Sequence, residues 1–323
     1  MKANLLGCPT LHPLIAAVER TAKGFLFGLI ALVCLFFAND SAHADYIYVG
    51  NYNGNSTIEK FDSSGSGSVF ASTGLGYPQG LAFDGSGNLY VANSFSGTIE
   101  KFDSSGNGTA FANTGLNDNT GLAFDSGGNL YVANWENNSI QEFDSSGHES
   151  FFATGLSHPT GLAFDSSGNL YVAYTPGDQI ASIWKFDSSG HGSFFASTGL
   201  NYPTGLAFDR SGNLYVADQN NNTIEKFDSS GNGTVFASAN LDYLWGLAFD
   251  SSGNLYTTSV NPLVGQSGRI VKFDSSGNSS VFASGLDDGL AFIAVQVPEP
   301  ATWSLLILGL GALAMLWDRP RLR

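Results

Sequence analysis

The side chains that could do acid and base chemistry are few, and they lie just before a recurring apolar segment, GLAF. Asp118 and His158 precede GLAF in neighbouring copies, and Asp288 directly precedes another. Together they form a candidate catalytic set, with Asp118 and His158 as an acid and base pair. A metal-dependent hydrolase needs several converging ligands, and a lone histidine is more often a polar surface residue. These loops therefore have two possible roles, catalysis by this set or binding alone.

Aromatic side chains occupy the same loops, and the loops after the next apolar segment, in a pattern that changes from copy to copy. They are Tyr77, Phe95, Trp135, His158, Tyr174, Tyr202, Tyr243 and Trp245. Aromatic rings offer flat apolar surfaces, and the amides and carboxylates beside them can fix the orientation of a ligand. We predict a face that binds carbohydrate or peptide, with ordinary turn packing as the alternative.

The elements that must position these residues are short strands. Residues 205–238 read GLAFDRSGNLYVADQNNNTIEKFDSSGNGTVFAS, with four apolar segments separated by Asp, Ser, Asn and Gly. Such segments with such turns predict a four-stranded antiparallel meander. GLAF begins at residues 80, 121, 161, 205, 246 and 289, at spacings of 40 to 44 residues. This period predicts a six-bladed all-β propeller with four-stranded blades.

The two ends of the repeat region predict how the ring closes. From Asp45 the region starts with a second, third and fourth strand, and residues 289–295 supply a first strand with no second. One blade built from both ends leaves no open sheet edge between first and last blades. We therefore expect the segment around Phe292 to pair beside Tyr48.

Eleven aspartates follow the first and third strands in nearly uniform turns on the opposite face. They are Asp62, Asp84, Asp103, Asp125, Asp144, Asp165, Asp187, Asp209, Asp228, Asp250 and Asp274. Asp at the first turn position accepts hydrogen bonds from the following backbone, which predicts a structural role. The alternative role is calcium binding, which requires about six to eight oxygen ligands around the ion. The sequence contains no EF-hand-like loop to supply them, so weak calcium binding is the most we expect. No other metal or cofactor is predicted.

Composition and charge narrow the possible partners. Residues 45–295 contain 7 Lys and Arg against 24 Asp and Glu, a net charge of −17. Such a field repels nucleic acid and anionic lipid surfaces. The two cysteines, Cys8 and Cys34, precede this region, so no disulfide framework is expected in it. We expect a monomer.

Residues 1–44 have the pattern of a signal peptide. Lys2, Arg20 and Lys23 precede the apolar run at 25–38, and small residues Ala42 and Ala44 precede Asp45. This order predicts export and cleavage by signal peptidase before Asp45. A retained membrane anchor is the alternative, although 14 apolar residues are short for a span of about 20.

Residues 296–323 have the pattern of a second targeting signal. Pro298, Glu299 and Pro300 precede a hydrophobic helix predicted at 301–317 and a basic end at 318–323 that contains Arg319, Arg321 and Arg323. The arginines are expected to stay cytoplasmic, which places the propeller outside. The segment resembles the PEP-CTERM sorting signal of Gram-negative bacteria. That resemblance implies transient anchoring in the inner membrane, processing by an exosortase-type membrane protease and release or display at the cell surface; a plain stop-transfer anchor is the alternative.

The blade sequence, with Pro78, Pro159 and Pro203 before GLAF and Asp218 after the second strand, resembles the NHL repeat. It also resembles six-bladed propellers of the gluconolactonase and streptogramin-lyase types. This resemblance covers residues 45–295 and implies the fold rather than an activity. The leading hypothesis is a surface-sorted, non-enzymatic module that binds extracellular polysaccharide or a surface protein. The alternatives are a metal-dependent lactonase-like or lyase-like enzyme that uses Asp118, His158 and Asp288, and a structural matrix spacer.

Overall fold

A computed structural model describes residues 45–52, 56–113, 115–175, 180–238, 242–260, 267–286 and 289–297. In these ranges the regular structure is entirely β. None of the described residues belongs to a helix long and apolar enough to span a bilayer. The predicted helices at 25–38 and 301–317, with Ala42, Ala44 and the sorting residues from Pro298 to Arg323, lie outside the described residues.

The strands form six antiparallel sheets of four, each running from an inner to an outer strand. Blade 1 contains β24(Leu290–Gln296), β1(Tyr46–Asn51), β2(Thr57–Phe61) and β3(Gly67–Ala71). Blade 2 contains β4(Pro78–Phe83), β5(Leu89–Asn93), β6(Thr98–Phe102) and β7(Gly108–Ala112). Blade 3 contains β8(Asn119–Phe124), β9(Leu130–Asn134), β10(Ser139–Phe143) and β11(Glu149–Thr154).

The remaining blades follow the same order. Blade 4 contains β12(Pro159–Phe164), β13(Leu170–Tyr174), β14(Ser182–Phe186) and β15(Gly192–Ala196). Blade 5 contains β16(Pro203–Phe208), β17(Leu214–Asp218), β18(Thr223–Phe227) and β19(Gly233–Ala237). Blade 6 contains β20(Leu244–Phe249), β21(Leu255–Ser259), β22(Gly268–Phe273) and β23(Ser279–Leu286).

Blade 1 is completed by the last strand, which confirms the predicted closure. β24 pairs antiparallel with β1, and Tyr48 lies opposite Ala294 while Val49 lies opposite Ile293. β24 also contacts the inner strands β4 and β20 of the neighbouring blades. The ring is therefore closed through a blade that both ends of the repeat region build.

The core lies between blades and is built from the repeated aromatic positions. Tyr90 of blade 2 makes edge contacts with Phe111 of its own blade and Phe124 of blade 3, with ring centroids 4.9 Å apart in both pairs. Lys101 Nζ lies 5.1 Å from the centre of the Tyr90 ring and 3.5 Å from the Asp84 carboxylate. Blades 4 and 5 repeat this arrangement around their own tyrosines. In blade 2 the LYVA, KFD and AFA segments each supply one part of this contact.

The inner strands approach one another closely around the axis. A Cβ at Gly161 would lie 1.9 Å from the Thr204 carbonyl oxygen, so this position excludes any larger residue. The buried Thr160 hydroxyl donates to the Pro203 carbonyl of the next blade at 2.9 Å, and Thr204 donates likewise to Leu244 at 3.0 Å. Neighbouring blades are thus joined at the axis by threonine hydrogen bonds and by close backbone contacts at glycine.

Candidate functional site: a variable face

The residue just before the inner strand has a left-handed backbone in five blades. These residues are Tyr77, Asp118, His158, Tyr202 and Tyr243, with φ between 41° and 71°. Such a conformation is uncommon for any residue but glycine, and it costs free energy that the surrounding structure must offset. Asp288, which precedes β24 of blade 1, lies outside the described residues. We call the surface formed by these five residues and the loops at 94–97, 135–138 and 219–222 the variable face.

Hydrogen bonds from the peptide groups hold these residues in place. The N–H groups of Tyr77, His158 and Tyr243 donate to side-chain oxygens of the preceding blade. The acceptors are Ser56 Oγ at 3.3 Å, Asn138 Oδ1 at 3.0 Å and Asn222 Oδ1 at 3.1 Å. Ser94, Trp135 and Gln219 donate their N–H groups to the carbonyls of Tyr77, Asp118 and Tyr202 at 3.1 to 3.3 Å. Because the main chain makes these bonds, the side chains at the five positions can vary while the backbone stays the same.

Two groups of aromatic side chains lie on the variable face. The Tyr77 ring lies 6.3 Å from Tyr52 and 5.5 Å from Phe95, so three rings form a row over blades 1 and 2. Phe95 is 82% exposed and Tyr77 is 45% exposed. Over blades 3 and 4, Trp135 stacks on the His158 ring with centroids 4.1 Å apart. Both groups present flat rings, which suit apolar patches of a partner.

Charged and phenolic groups of this face interact across blades. Burial raises the pKa of the Asp118 carboxyl, and the nearby Glu136 carboxylate raises it further. Burial also raises the pKa of the Tyr202 phenol, with a second contribution from Asp118. The side chains of blades 3 and 5 are therefore close enough to interact over the intervening blade 4. This part of the face combines negative charge with hydrogen-bonding capacity.

The predicted catalytic pair has separate surroundings. The His158 ring contacts Ser157 Oγ through Nδ1 at 3.2 Å and stacks on Trp135, whereas Asp118 interacts with Glu136 and Tyr202. Neither residue serves as the hydrogen-bond partner of the other in this arrangement. A general acid and base that act on one substrate need a common reacting atom within reach.

Two of the predicted face residues belong to strands and take part in packing between blades. Trp245 is the second residue of β20, and its ring lies 6.5 Å from that of Phe292 on β24. Tyr174 ends β13 and packs, partly buried, against the core between blades 3 and 4. Tyr243, in contrast, is 40% exposed beside the inner strand of blade 6. The variable face therefore contains Tyr77, Phe95, Trp135, His158, Tyr202 and Tyr243.

The opposite face is uniform because its aspartates hold turns. Asp165 Oδ1 accepts the N–H groups of Ser167 and Asn169, both at 2.9 Å, and Oδ2 accepts Asn169 Nδ2 at 2.8 Å. Hydrogen bonds, the largest from the Asn107 side chain, lower the pKa of the exposed Asp103 carboxyl. These bonds confirm the predicted turn role. Among the described residues no group of three or more His, Cys, Asp and Glu is arranged to hold a metal ion, and weak calcium binding stays a prediction.

A buried carboxylate under the variable face was not predicted as a site. Asp218, the last residue of β17, has no solvent exposure and accepts the Asn201 N–H at 2.9 and 3.0 Å. Burial raises its pKa to about 6. The equivalent positions Asn93 and Asn134 are amides that accept the same kind of bond from Gly76 and Asn117. The sequence did contain a signal for this site, because LYVAN at the second strand of blades 2 and 3 is LYVAD in blade 5.

Fold and face together define a six-bladed propeller with one uniform turn face and one variable face. Family comparison identifies the repeats: the NHL repeat matches residues 118–143 and 200–227, and the PEP-CTERM protein-sorting motif matches residues 296–319. The protein is an NHL-repeat β-propeller with a PEP-CTERM sorting signal. That signal implies export, processing by an exosortase at the membrane, and surface or membrane association in Gram-negative bacteria.

Solved structures with the same fold include both binding proteins and enzymes. The crystal structure of a nidogen/laminin complex matches with a TM-score of 0.70 at 20% identity, covering 79% of this chain and 100% of that chain. Virginiamycin B lyase from Staphylococcus aureus matches with a TM-score of 0.58 at 14% identity, covering 78% and 88%. A streptogramin B lyase matches with a TM-score of 0.54 at 16% identity, covering 77% and 76%. No curated protein matches the sequence significantly.

Proposed function

We propose that the protein is an exported, non-enzymatic binding module whose variable face holds a component of the extracellular matrix. The observation that carries this proposal is the set of five left-handed residues, three tyrosines, one aspartate and one histidine, on an equivalent backbone. Structural strain at equivalent positions is a feature of binding and catalytic surfaces. The sorting signal supports the proposal because it directs the propeller to the exterior, where such a component is found.

A surface protein suits this face better than a polysaccharide. The exposed rings lie in separate groups over blades 1 and 2 and over blades 3 and 4, with Tyr243 on blade 6. A partner must cover several blades to touch them all, and aromatic anchors of this kind supply much of the affinity in protein interfaces. The acidic groups Asp118 and Glu136 favour basic residues on that partner. The similar chain in the crystal structure of the nidogen/laminin complex is a precedent for the fold alone.

The enzymatic alternative lacks a specific supporting observation. It requires Asp118, His158 and Asp288 to act together, and the contacts of Asp118 and His158 lead to different neighbours. The lyases share this fold at low identity, which is no basis for transferring an activity. The matrix-spacer alternative leaves the exposed rings of Tyr77 and Phe95 without a role.

Binding by the mature protein tests the proposal. The protein is immobilised and exposed separately to the surface-protein fraction and the exopolysaccharide of the producing cells. We expect capture of a surface protein, and at least a tenfold loss of affinity for the Phe95→Ala and Tyr77→Ala variants, because each removes an exposed ring. Phe194→Ala is the matched control, since this phenylalanine is 59% exposed on an outer strand instead of the variable face. Equal loss in all three variants, or capture of polysaccharide alone, contradicts the proposal as stated.

A further inference from the structure

A groove opens on the side of the ring between blades 3 and 4. It has a volume of about 580 Å³ and runs between β11 of blade 3 and the outer half of blade 4. Phe152 and Leu156 line one wall, and Tyr174, Trp184 and Phe186 line the other. A volume of this size lies within the range of about 300 to 1,000 Å³ that small-ligand sites occupy.

Two departures from the repeat shape this groove. The third-strand position occupied by Trp184 is Glu59, Glu100 and Glu225 in blades 1, 2 and 5. The second-strand position occupied by Tyr174 is asparagine in each of blades 1, 2 and 3. Blade 4 therefore has two aromatic rings where blades 1 and 2 have an acid and an amide.

The glycine beside the groove is not covered by a side chain. Between blades 2 and 3, a Cβ at Gly115 would lie 2.5 Å from Gln141 Nε2, so the amide side chain covers that glycine. Between blades 1 and 2, the Glu100 carboxyl carbon lies 3.6 Å from the equivalent point at Gly74. At Gly155, between blades 3 and 4, no atom of the described residues other than its chain neighbours lies within 4 Å of that point. The space that Glu100 and Gln141 fill is thus free beside Trp184, as it is at Gly199 and Gly285.

A second groove, between blades 6 and 1, provides an internal comparison. Its volume is about 340 Å³, and Glu59 and Phe61 line it together with Ala283 and Leu286. This groove keeps the acid of the repeat, and it is smaller. The larger size and aromatic wall thus distinguish the groove of blades 3 and 4 from an equivalent junction in the same ring.

The chemistry of the lining indicates an uncharged ligand. No charged side chain is among the described residues that line the groove, although residues 45–295 have a net charge of −17. Its polar groups are the hydroxyls of Tyr174 and Thr154 and the backbone of glycines such as Gly155. Flat rings beside neutral hydrogen-bonding groups suit a molecule with apolar C–H faces and a rim of hydroxyls.

We propose that this groove binds a neutral carbohydrate, with one sugar ring stacked on Trp184 and hydroxyl groups bonded to Tyr174 and Thr154. The site is separate from the variable face, and it requires no part of the function proposed above. An apolar peptide is the competing occupant. Its backbone can also bond to the hydroxyls of Tyr174 and Thr154, but its branched side chains offer no flat C–H face to stack on Trp184.

Titration calorimetry and tryptophan fluorescence of the mature protein test the site with defined probes. The neutral probes are cellohexaose, maltohexaose, mannohexaose and chitohexaose; the anionic probe is a hyaluronan hexasaccharide, and the peptide probe is an uncharged nonapeptide rich in leucine and valine. We expect at least one neutral probe to bind and to change the tryptophan emission. Trp184→Glu should weaken this binding at least tenfold. The variant restores the residue of blades 1, 2 and 5, so the blade keeps a side chain that the fold accepts.

Matched variants separate the groove from other effects. Tyr174→Asn, which restores the residue of blades 1 to 3, should also weaken binding, whereas Trp184→Phe should retain part of it. Glu59→Gln in the groove of blades 6 and 1, and Phe95→Ala on the variable face, should leave it unchanged. Failure of every neutral probe to bind, stronger binding of the anionic or peptide probe, or equal binding by a correctly folded Trp184→Glu variant would overturn the proposal. Loss with Phe95→Ala instead would locate the sugar on the variable face.

Discussion

Replacing Asp218 by asparagine should stabilise the protein at neutral pH. The carboxylate has no solvent exposure, and it accepts hydrogen bonds from the Asn201 N–H and from Asn221 Nδ2, the latter at 2.8 Å. Asparagine occupies the equivalent site in blades 2 and 3, where its amide group also donates to the carbonyls of Gly74 and Gly115. The substitution therefore puts a residue that the fold already uses into blade 5 and removes a buried charge.

The magnitude follows from the pKa. Burial, the largest cause, and the nearby Glu225 raise the pKa of Asp218 from its ordinary value of 3.8 to about 6. A group with a raised pKa in the folded state favours folding when protonated, so that contribution is complete below pH 3.8 and is lost as pH rises through 6. The loss at neutral pH is up to about 3 kcal/mol, since each pKa unit corresponds to about 1.4 kcal/mol. Asp218→Asn should recover most of this free energy.

Urea unfolding at pH 4 and pH 7.5 measures the effect. We expect Asp218→Asn to exceed the parent protein in free energy of unfolding by about 2 to 3 kcal/mol at pH 7.5, and by little at pH 4. Asn93→Asp is the matched control: it places a carboxylate at the equivalent site of blade 2 and should destabilise at pH 7.5. A difference between Asp218→Asn and the parent that is the same at both pH values, or a destabilised variant at pH 7.5, would refute the reasoning.

Three further predictions concern closure, turns and sorting. Gly161→Ala should destabilise the ring by about 3 kcal/mol or more in thermal melts, because its Cβ would overlap the Thr204 carbonyl; Gly85→Ala, with no atom within 4 Å, is the control and should be neutral. Asp165→Ala removes the hydrogen bonds that Ser167, Asn169 and Lys185 donate to the carboxylate and should cost about 1 to 2 kcal/mol in the same assay, whereas Asp165→Asn should cost less. Glu299→Ala should leave an unprocessed, membrane-associated precursor on immunoblots, and normal processing of that variant would show that the glutamate is not read.

Much of the architecture could be predicted because the repeat is regular and its turns have simple chemistry. The six copies of GLAF predicted the blades, and the missing first strand near Asp45 predicted the pairing of Tyr48 with the last strand. The aspartate turns followed from local hydrogen bonding. These inferences use interactions within a few residues, or a pattern that occurs six times.

The site was harder to predict because it depends on where strands begin and on contacts between blades. Trp245 was placed with the loop residues, but β20 begins at Leu244, so the ring belongs to a packed strand. The left-handed backbone at Tyr77 could not be anticipated, since tyrosine has no intrinsic preference for it and the Ser56 side chain that accepts its N–H belongs to another blade. The groove beside Trp184 required knowing which side of the strand faces blade 3.

The position of β24 decides how a mechanical load enters the molecule. If the C-terminal segment left from the outer strand of a blade, a pulling force would act on an edge strand that only one neighbouring strand holds in place. Here the segment that leads to the sorting signal leaves from an innermost strand, which pairs with β1 along its length and contacts β4 and β20 on either side. A pull on that segment is therefore shared among three blades at the axis, and the outer rims remain unloaded and available for contact with the surroundings.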